Sequence, residues 1–392
     1  RHRGAAALPR AHQLCPRYQQ KKKPAQEEAP AARAKSKGKG PAFDPKMAWI
    51  VGAPLAMGMT DREDPSDVPL LIGGEPDKPD KIIPRGFPKV MDYPGAKPFS
   101  TEGSGRLELA EWMTHPNHPL TSRVMVNRVW GHLFGRGIVG TVDNFGTTGA
   151  KPTHPELLDF LAIQFTKADW SVKRLIRAIV LSRAYRQSSA NQAVAEKLDP
   201  ENEFLWRMSP KRLEAEAIRD SLLTISGQVQ APPFTSPVAF ANSIGSQGRE
   251  ARMSDHGFDF DQFFGRTIYA PVLRRDLPTM LELFDFPDPN ILVGNRTPTT
   301  SPTQALYLMN HLLVDELSSR TASRLALSSS DRSGSLEKVY LSCVGRLPDA
   351  IETKMALDYL QAYQRDLGAD EDGAWSSFIK QLISSAEFRH LY

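Results

Sequence analysis

Between Pro119 and Gly146 the chain reads PLTSRVMVNRVWGHLFGRGIVGTVDNFG, with Asn127, Arg128, Trp130 and His132 inside two turns of an amphipathic helical pattern and Arg136 just beyond. Helical spacing puts Arg128 with His132 on one face and Arg123 with Asn127 on another. Arg123 and Asn127 are therefore expected to point together into a polar pocket while Trp130 packs. Asn, Arg and His side chains together suit an anion or a sugar hydroxyl. They equally suit a buried hydrogen-bond network that pins the helix against the glycine-rich turn, because buried polar groups need partners.

A second concentration lies in the C-terminal half: Arg266, Tyr269, Arg274, Asp285, Asp288, Asn290, Arg296, Thr297, Thr300 and Gln304. The segment FDFPDPN sets Asp285 and Asp288 three residues apart in a proline-stiffened loop, and RTPTTSPTQ brings an arginine and several hydroxyls to a helix start at Ser301. A helix N-terminus beside an arginine is a place for an anion, and paired carboxylates suit calcium. The competing reading has Arg296 bridging Asp285 to lock two loops, with Asp288 and Asn290 making side-chain turns.

Two further groups are plainer. KRLEAEAIRD places Arg212, Glu214, Glu216, Arg219 and Asp220 at helical pair spacing, either as a solvated salt-bridged face or as an Arg–Glu pair lining a cleft. Asp143, His154 and Glu156 are metal-ligand types, but a turn accounts for Asp143 and a capping box with Thr153 accounts for Glu156, so no metal is assigned. His115 and His118, in HPNH, read as turn and helix-start residues.

The candidate catalytic acids are thus Asp285, Asp288 and Glu216. The candidate binding residues are Asn127, Arg128, His132, Arg266, Arg274, Arg296 and Gln304. Glycosidic cleavage would need two of the acids roughly 5 to 9.5 Å apart, depending on mechanism. No GxSxG, Walker loop or HExxH occurs in the sequence, so no standard nucleophile, P-loop or zinc motif completes these sets. CxxC and CxxCH are missing too, which leaves no zinc knuckle and no c-type haem attachment. The two cysteines, Cys15 and Cys343, decide little.

Positioning these residues falls mostly to helices. Helical periodicity is read at Arg106–Thr114, from Pro119 or Leu120 to a stop at Gly135, at Thr153–Phe165 with Thr153 as N-cap, and from Trp170 onward. It continues at Ser209–Gly227 with Ser209 as cap, from Ser301 with a second capping box to Gln304, and in two or three helices over Leu336–Phe388. Strands are expected at Trp49–Val51, Val68–Ile72, Lys81–Ile83 and, most convincingly, in FGRTIYAPVLR at Phe264–Arg274. Residues 228–261 read as a polar insertion. The fold class that results is mainly α, a multi-helical orthogonal packing with a few short strands.

Composition divides the chain three ways. Residues 1–45 are rich in Lys, Ala, Pro and Gly and read as a disordered basic leader. Residues 46–102, rich in Pro and Gly, read as an extended segment packing on the main domain, and 103–392 as the helical domain. The first 46 residues carry twelve Lys/Arg against three Asp/Glu, while the whole chain is only +4. The remainder is therefore net negative, so nucleic-acid binding is at most a property of the leader. The longest apolar stretch, Ala48–Met59, is too short and too broken by Gly and Pro to span a membrane. The chain opens on Arg, and no signal peptide is visible; it reads as a fragment.

Taken together, RLELAEWMTHPNHPLTSRVMVNRVWGHLFGRGIVGTVDNFGTTGAKPTHPELLDFLA and WSVKRLIRAIVLSRAYRQSS resemble the planctomycete-specific C-terminal domain of unknown function. The same order of elements continues through FLWRMSPKRLEAEAIRDSLLTISG, GRTIYAPVLR, LELFDFPDPN, RTPTTSPTQALYLMN and AEFRHLY, so the likeness runs from about Gly103 to Tyr392. That resemblance implies a module downstream of cytochrome-c-like domains in large exported proteins, with a periplasmic or exported location and other domains as partners. Haem would sit on a domain not present here, so no cofactor is assigned to this chain. The expected function is an interaction or structural module, associated with polysaccharide handling. The alternatives are a hydrolase-like enzyme on glycans or sulfated polymers, and anionic-polymer binding through the leader.

Overall fold

The computed structural model describes residues 61–230 and 258–392, apart from Arg62, Asp64, Pro98, Ser100, Thr101, Glu102, Arg275, Ala326, Ser328 and Ser329. The basic leader, the strand expected at Trp49–Val51, Cys15 and most of the 228–261 insertion lie outside the described residues. Those residues contain twelve α-helices and two small two-stranded sheets, a mainly α fold.

The first sheet pairs β1 (Val68–Leu71) with β2 (Pro79–Ile83), both antiparallel and largely exposed. After it the chain meets α1 (Arg106–Thr114) through an aromatic nest. Phe87 stacks on Trp112 at 4.8 Å, and the Tyr93 hydroxyl donates to the Trp112 carbonyl at 3.2 Å. His118 starts the next helix, its Nδ1 accepting from the Thr121 amide at 3.1 Å.

That helix, α2 (Thr121–Phe134), ends at Gly135 in the left-handed conformation. With α3 (Pro155–Lys167) and α4 (Val172–Val180) it builds a first core from Val126, Trp130, Phe134, Ile138, Leu158, Phe165, Leu175 and Ile179. Apolar residues at helical spacing on all three helices meet here, and their burial supplies the local stability. The expected capping box at Thr153 is not formed. His154 holds the N-cap position, and Thr153 bonds instead through its amide and hydroxyl to the Ile138 carbonyl.

A second core gathers α6 (Ala215–Ile225), α7 (Thr279–Leu283), α8 (Pro302–Asn310), α9 (Leu312–Leu325), α10 (Arg332–Cys343), α11 (Ala350–Leu367) and α12 (Glu371–Ser384). The short α5 (Ala193–Leu198) has no buried residue. The most extensive helix pairing is α9 on α12, around the fully buried Leu317, Trp375 and Ile379. Cys343 is a free, buried thiol in this core, and burial pushes its pKa up to about 12.

Two expectations fail, each decided by long-range pairing. The helix expected from Ser209 begins only at Ala215, because Lys211–Arg212 (β3) pairs antiparallel with His390–Leu391 (β4), and the Leu213 amide donates to the Arg389 carbonyl at 2.7 Å. Pairing with residues far along the chain competes successfully with local helix propensity. Phe264–Arg274, in turn, joins neither of the two sheets among the described residues. It holds a 3-10 turn at Thr267–Tyr269 and isolated bridges at Gly265 and Leu273.

The turn before α11 carries a clasp. Arg346 grips Glu352 and Glu387 with contacts of 2.6 Å each, tying the start of α11 to the end of α12. The Arg346 guanidinium, helped by the Asp349 amide against the opposing effect of burial, holds the Glu352 carboxyl down from 4.5 to about 2. A carboxyl held low in the folded state stabilises above its unfolded pKa and loses that contribution as pH falls toward its folded pKa. The stability advantage of the wild type over Glu352→Gln should therefore be constant above pH 4.5 and shrink to nothing toward pH 2, read by urea denaturation across that window.

Candidate functional site

One cleft of about 410 Å³ opens between the first helical group and the second, walled by α2, the Gly135–Gly137 turn, β3 and the loop from Phe284 to Pro298. Four of the expected residues line it directly: Arg128, His132, Asp285 and Arg296. Glu216 and Gln304 reach it through their partners.

Each wall is fixed by a charge pair. On α2, Arg128 Nη2 meets Asp143 Oδ1 at 3.0 Å, both half-exposed. Gly294 lies so close that a Cβ there would stand 1.7 Å from Asp143 Oδ2, so a side chain at that position would have to turn the half-exposed Asp143 carboxylate aside, away from Arg128. Lys211 Nζ donates to the His132 carbonyl, an orphan acceptor in the last turn of α2. His132 Nδ1 faces Glu214 Oε1 at 3.8 Å.

Deeper in, Arg296 binds Glu216 in a two-pronged contact of 2.5 and 2.8 Å, touches Glu214 at 3.3 Å, and lies 5.3 Å from the Phe286 ring centroid. Glu216 is the main reason the Arg296 pKa is raised. Arg212 Nη1 donates to Asp285 Oδ2 at 2.6 Å and to the Thr299 carbonyl, and its Nη2 donates to Gln304 Oε1 at 3.0 Å. Asp285 accepts further bonds from the Thr299 amide at 2.9 Å and the Thr299 hydroxyl at 2.7 Å.

Burial alone would raise the Asp285 carboxyl. Thr299 and Arg212 outweigh it and hold the group below the usual carboxylate range. Asp285 also sits at φ +66° just past α7, where the Phe286 amide reaches back to the Leu281 carbonyl. That is the left-handed cap position usually given to glycine. A side chain is retained at that backbone cost because it anchors the loop.

Several expectations need correcting. Arg296 does not bridge Asp285; the two take Glu216 and Arg212 as partners. Arg212 is on a strand, so its expected helical pairing with Glu216 is absent. Arg123 and Asn127 do not share a pocket, since Arg123 turns to Asp159 at 2.7 Å. Asn127 is fully buried, accepting from the Val139 amide at 2.8 Å and donating to its carbonyl at 3.0 Å. Gly137 makes that approach feasible, as a Cβ there would stand under 3.0 Å from both the Asn127 amide and the Val139 carbonyl. Gln304 closes no capping box; its Nε2 donates to the Leu283 carbonyl at 2.9 Å.

Away from the cleft, Arg266 pairs with Asp220 at 3.3 Å. Asp288 forms the expected side-chain turn with the Asn290 amide at 2.8 Å, and Asn290 Nδ2 donates to the Arg274 carbonyl. Among the described residues no three His, Cys, Asp or Glu side chains cluster as a metal ion requires. Sequence reasoning singles out no role for Lys211 and places Arg212 and Glu214 on a helix, as a solvated charge face or as part of an Arg–Glu pair lining a cleft. Nothing local signals the β3–β4 pairing that carries all three to the cleft.

Fold and site together define a mainly helical domain whose central cleft is braced by long-range ion pairs. Residues 105–360 match the model of the family described as PSD1, protein of unknown function (DUF1553), and the chain belongs to that family. The matched span holds every residue of the cleft. No curated protein and no solved structure matches the chain. No helix among the described residues is long and apolar enough to cross a membrane.

Proposed function

We propose that this chain is an interaction module of a larger exported protein, presenting a rigid cleft to a polymer rather than transforming one. The observation that carries this reading is the state of Asp285. Both its oxygens are taken by Arg212 and Thr299, and its carboxyl is held ionised. A general acid must keep its proton near the working pH, and this environment strips it. Glu216 is likewise occupied on both oxygens by Arg296. Such pairs fix the shape of a cleft and leave neither Asp285 nor Glu216 free to donate a proton.

The motif order from Arg106 to Tyr392 supports the wider setting, a planctomycete-specific domain downstream of cytochrome-c-like domains in the periplasm or outside the cell. The hydrolase alternative retains one supporting feature, the presence of Glu214 and Asp285 in the same cleft. Incubating purified protein with a panel of plant, algal and bacterial polysaccharides and assaying new reducing ends decides between them. No release is expected from the wild type. Release that disappears in folded Asp285→Ala would replace the module with an enzyme.

A further inference from the structure

We infer that the cleft takes the hydroxyl groups of a neutral saccharide, an assignment that rests on the interaction-module reading and names its ligand class. Charge balance is the first support. Arg128, Lys211, Arg212 and Arg296 are set against Asp143, Glu214, Glu216 and Asp285, four cations to four anions. A site with no net charge has little field to gather a sulfated or uronate polymer. At Arg212 and Arg296 an anion would also have to displace carboxylates already seated on the guanidinium groups.

Spare hydrogen-bonding capacity at the mouth is the second support. Arg128 has five N–H groups and gives one to Asp143, with half its side chain exposed. Lys211 has three and gives one to the His132 carbonyl. Glu214 is partly exposed and offers acceptors, and the His132 ring stands open to water. Donors and acceptors therefore alternate across a few residues. Neighbouring sugar hydroxyls, each both donor and acceptor, complement that alternation, and bonds to charged partners are the stronger kind.

Shape is the third. Pro287 and Val293 give the far wall apolar C–H surface of the sort a pyranose face covers. The partly buried Arg212–Asp285 and Arg296–Glu216 pairs lock the wall behind it, so little ordering cost falls on binding. A volume of about 410 Å³ lies within the range of small-molecule sites.

The test is an immobilised glycan array carrying neutral, uronate and sulfated oligosaccharides, probed with the full chain, followed by calorimetric titration of the best neutral glycan. Binding to neutral glycans is expected, nearly unchanged between low and high NaCl. Arg128→Met and Glu214→Gln, both at partly exposed positions, should each weaken it roughly tenfold with an unchanged melting temperature. Retention of no neutral glycan overturns the assignment, and so does binding confined to sulfated or uronate glycans that collapses with salt. Failure here without polysaccharide cleavage leaves the interaction module standing; cleavage removes the module whatever the array shows.

Discussion

Arg219→Ala is expected to cost about 3 to 5 kcal/mol of stability, read by urea denaturation, through a cavity plus orphaned carbonyls. Arg219, on α6, is fully buried. Its Nη1 donates to the Gly265 carbonyl at 3.0 Å and the Thr267 hydroxyl at 3.2 Å, and its Nη2 donates to the carbonyls of Phe260, at 3.1 Å, and Phe263. The guanidinium lies 4.4 Å from the Phe260 ring centroid. One side chain thus satisfies carbonyls of a non-helical segment whose pairing among the described residues is one isolated bridge, Gln230 to Gly265. Burial pulls its pKa down to about 10, still well above neutrality. Arg219→Lys should fall between wild type and alanine, because an ammonium on a flexible stem cannot fan out to four acceptors. An alanine variant within about 1 kcal/mol of wild type would mean the segment is held by something else.

Arg219 also shows where sequence reading stops. Helical periodicity and start signals place α2, α3 and α4, and two or three helices over Leu336–Phe388 where the structure has α10, α11 and α12, because amphipathic spacing is a local signal that survives folding. The ends of α2 and α6 were marked by Gly135 and Gly227, both at positive φ. The residue types at the cleft were legible too, since Arg128, His132, Asp285 and Arg296 stand out in composition. Their pairings were not. Arg212 finds Asp285 73 positions away, and Arg296 finds Glu216 80 away, choices set by tertiary approach rather than spacing. Lys211 and Arg212 were read as helix because their nearest neighbours favour it, whereas the chain's last residues claim them as a strand. Asn127 reads from sequence either as a ligand contact or as part of a buried network that pins the helix to the glycine-rich turn, and its bonds to the Val139 backbone are the second, a role that depends on Gly137 coming close enough.

The pair that most tightly joins the second core to the cleft should show strong coupling. Arg212 is 7% exposed and Asp285 20%, so removing the guanidinium leaves a mostly buried carboxylate short of its cation. Breaking such a pair from one side costs about 3 to 5 kcal/mol. Arg212→Met is expected at the lower end, because Asp285 keeps the amide and hydroxyl of Thr299. Asp285→Asn should be destabilising as well, since it removes the negative charge that faces the Arg212 guanidinium, even with its amide nitrogen turned toward the Thr299 hydroxyl, which can accept. In the double variant the burial cost of the stranded charge disappears, and Met packs where the guanidinium lay. Its loss should therefore fall short of the summed single losses by about 1 to 3 kcal/mol. Agreement with simple additivity to within about 0.5 kcal/mol would show the two residues acting independently. The loop from Phe284 to Thr299 would then owe its position to Gln304 and the left-handed turn at Asp285, and the cleft would lose the rigidity on which its proposed role depends.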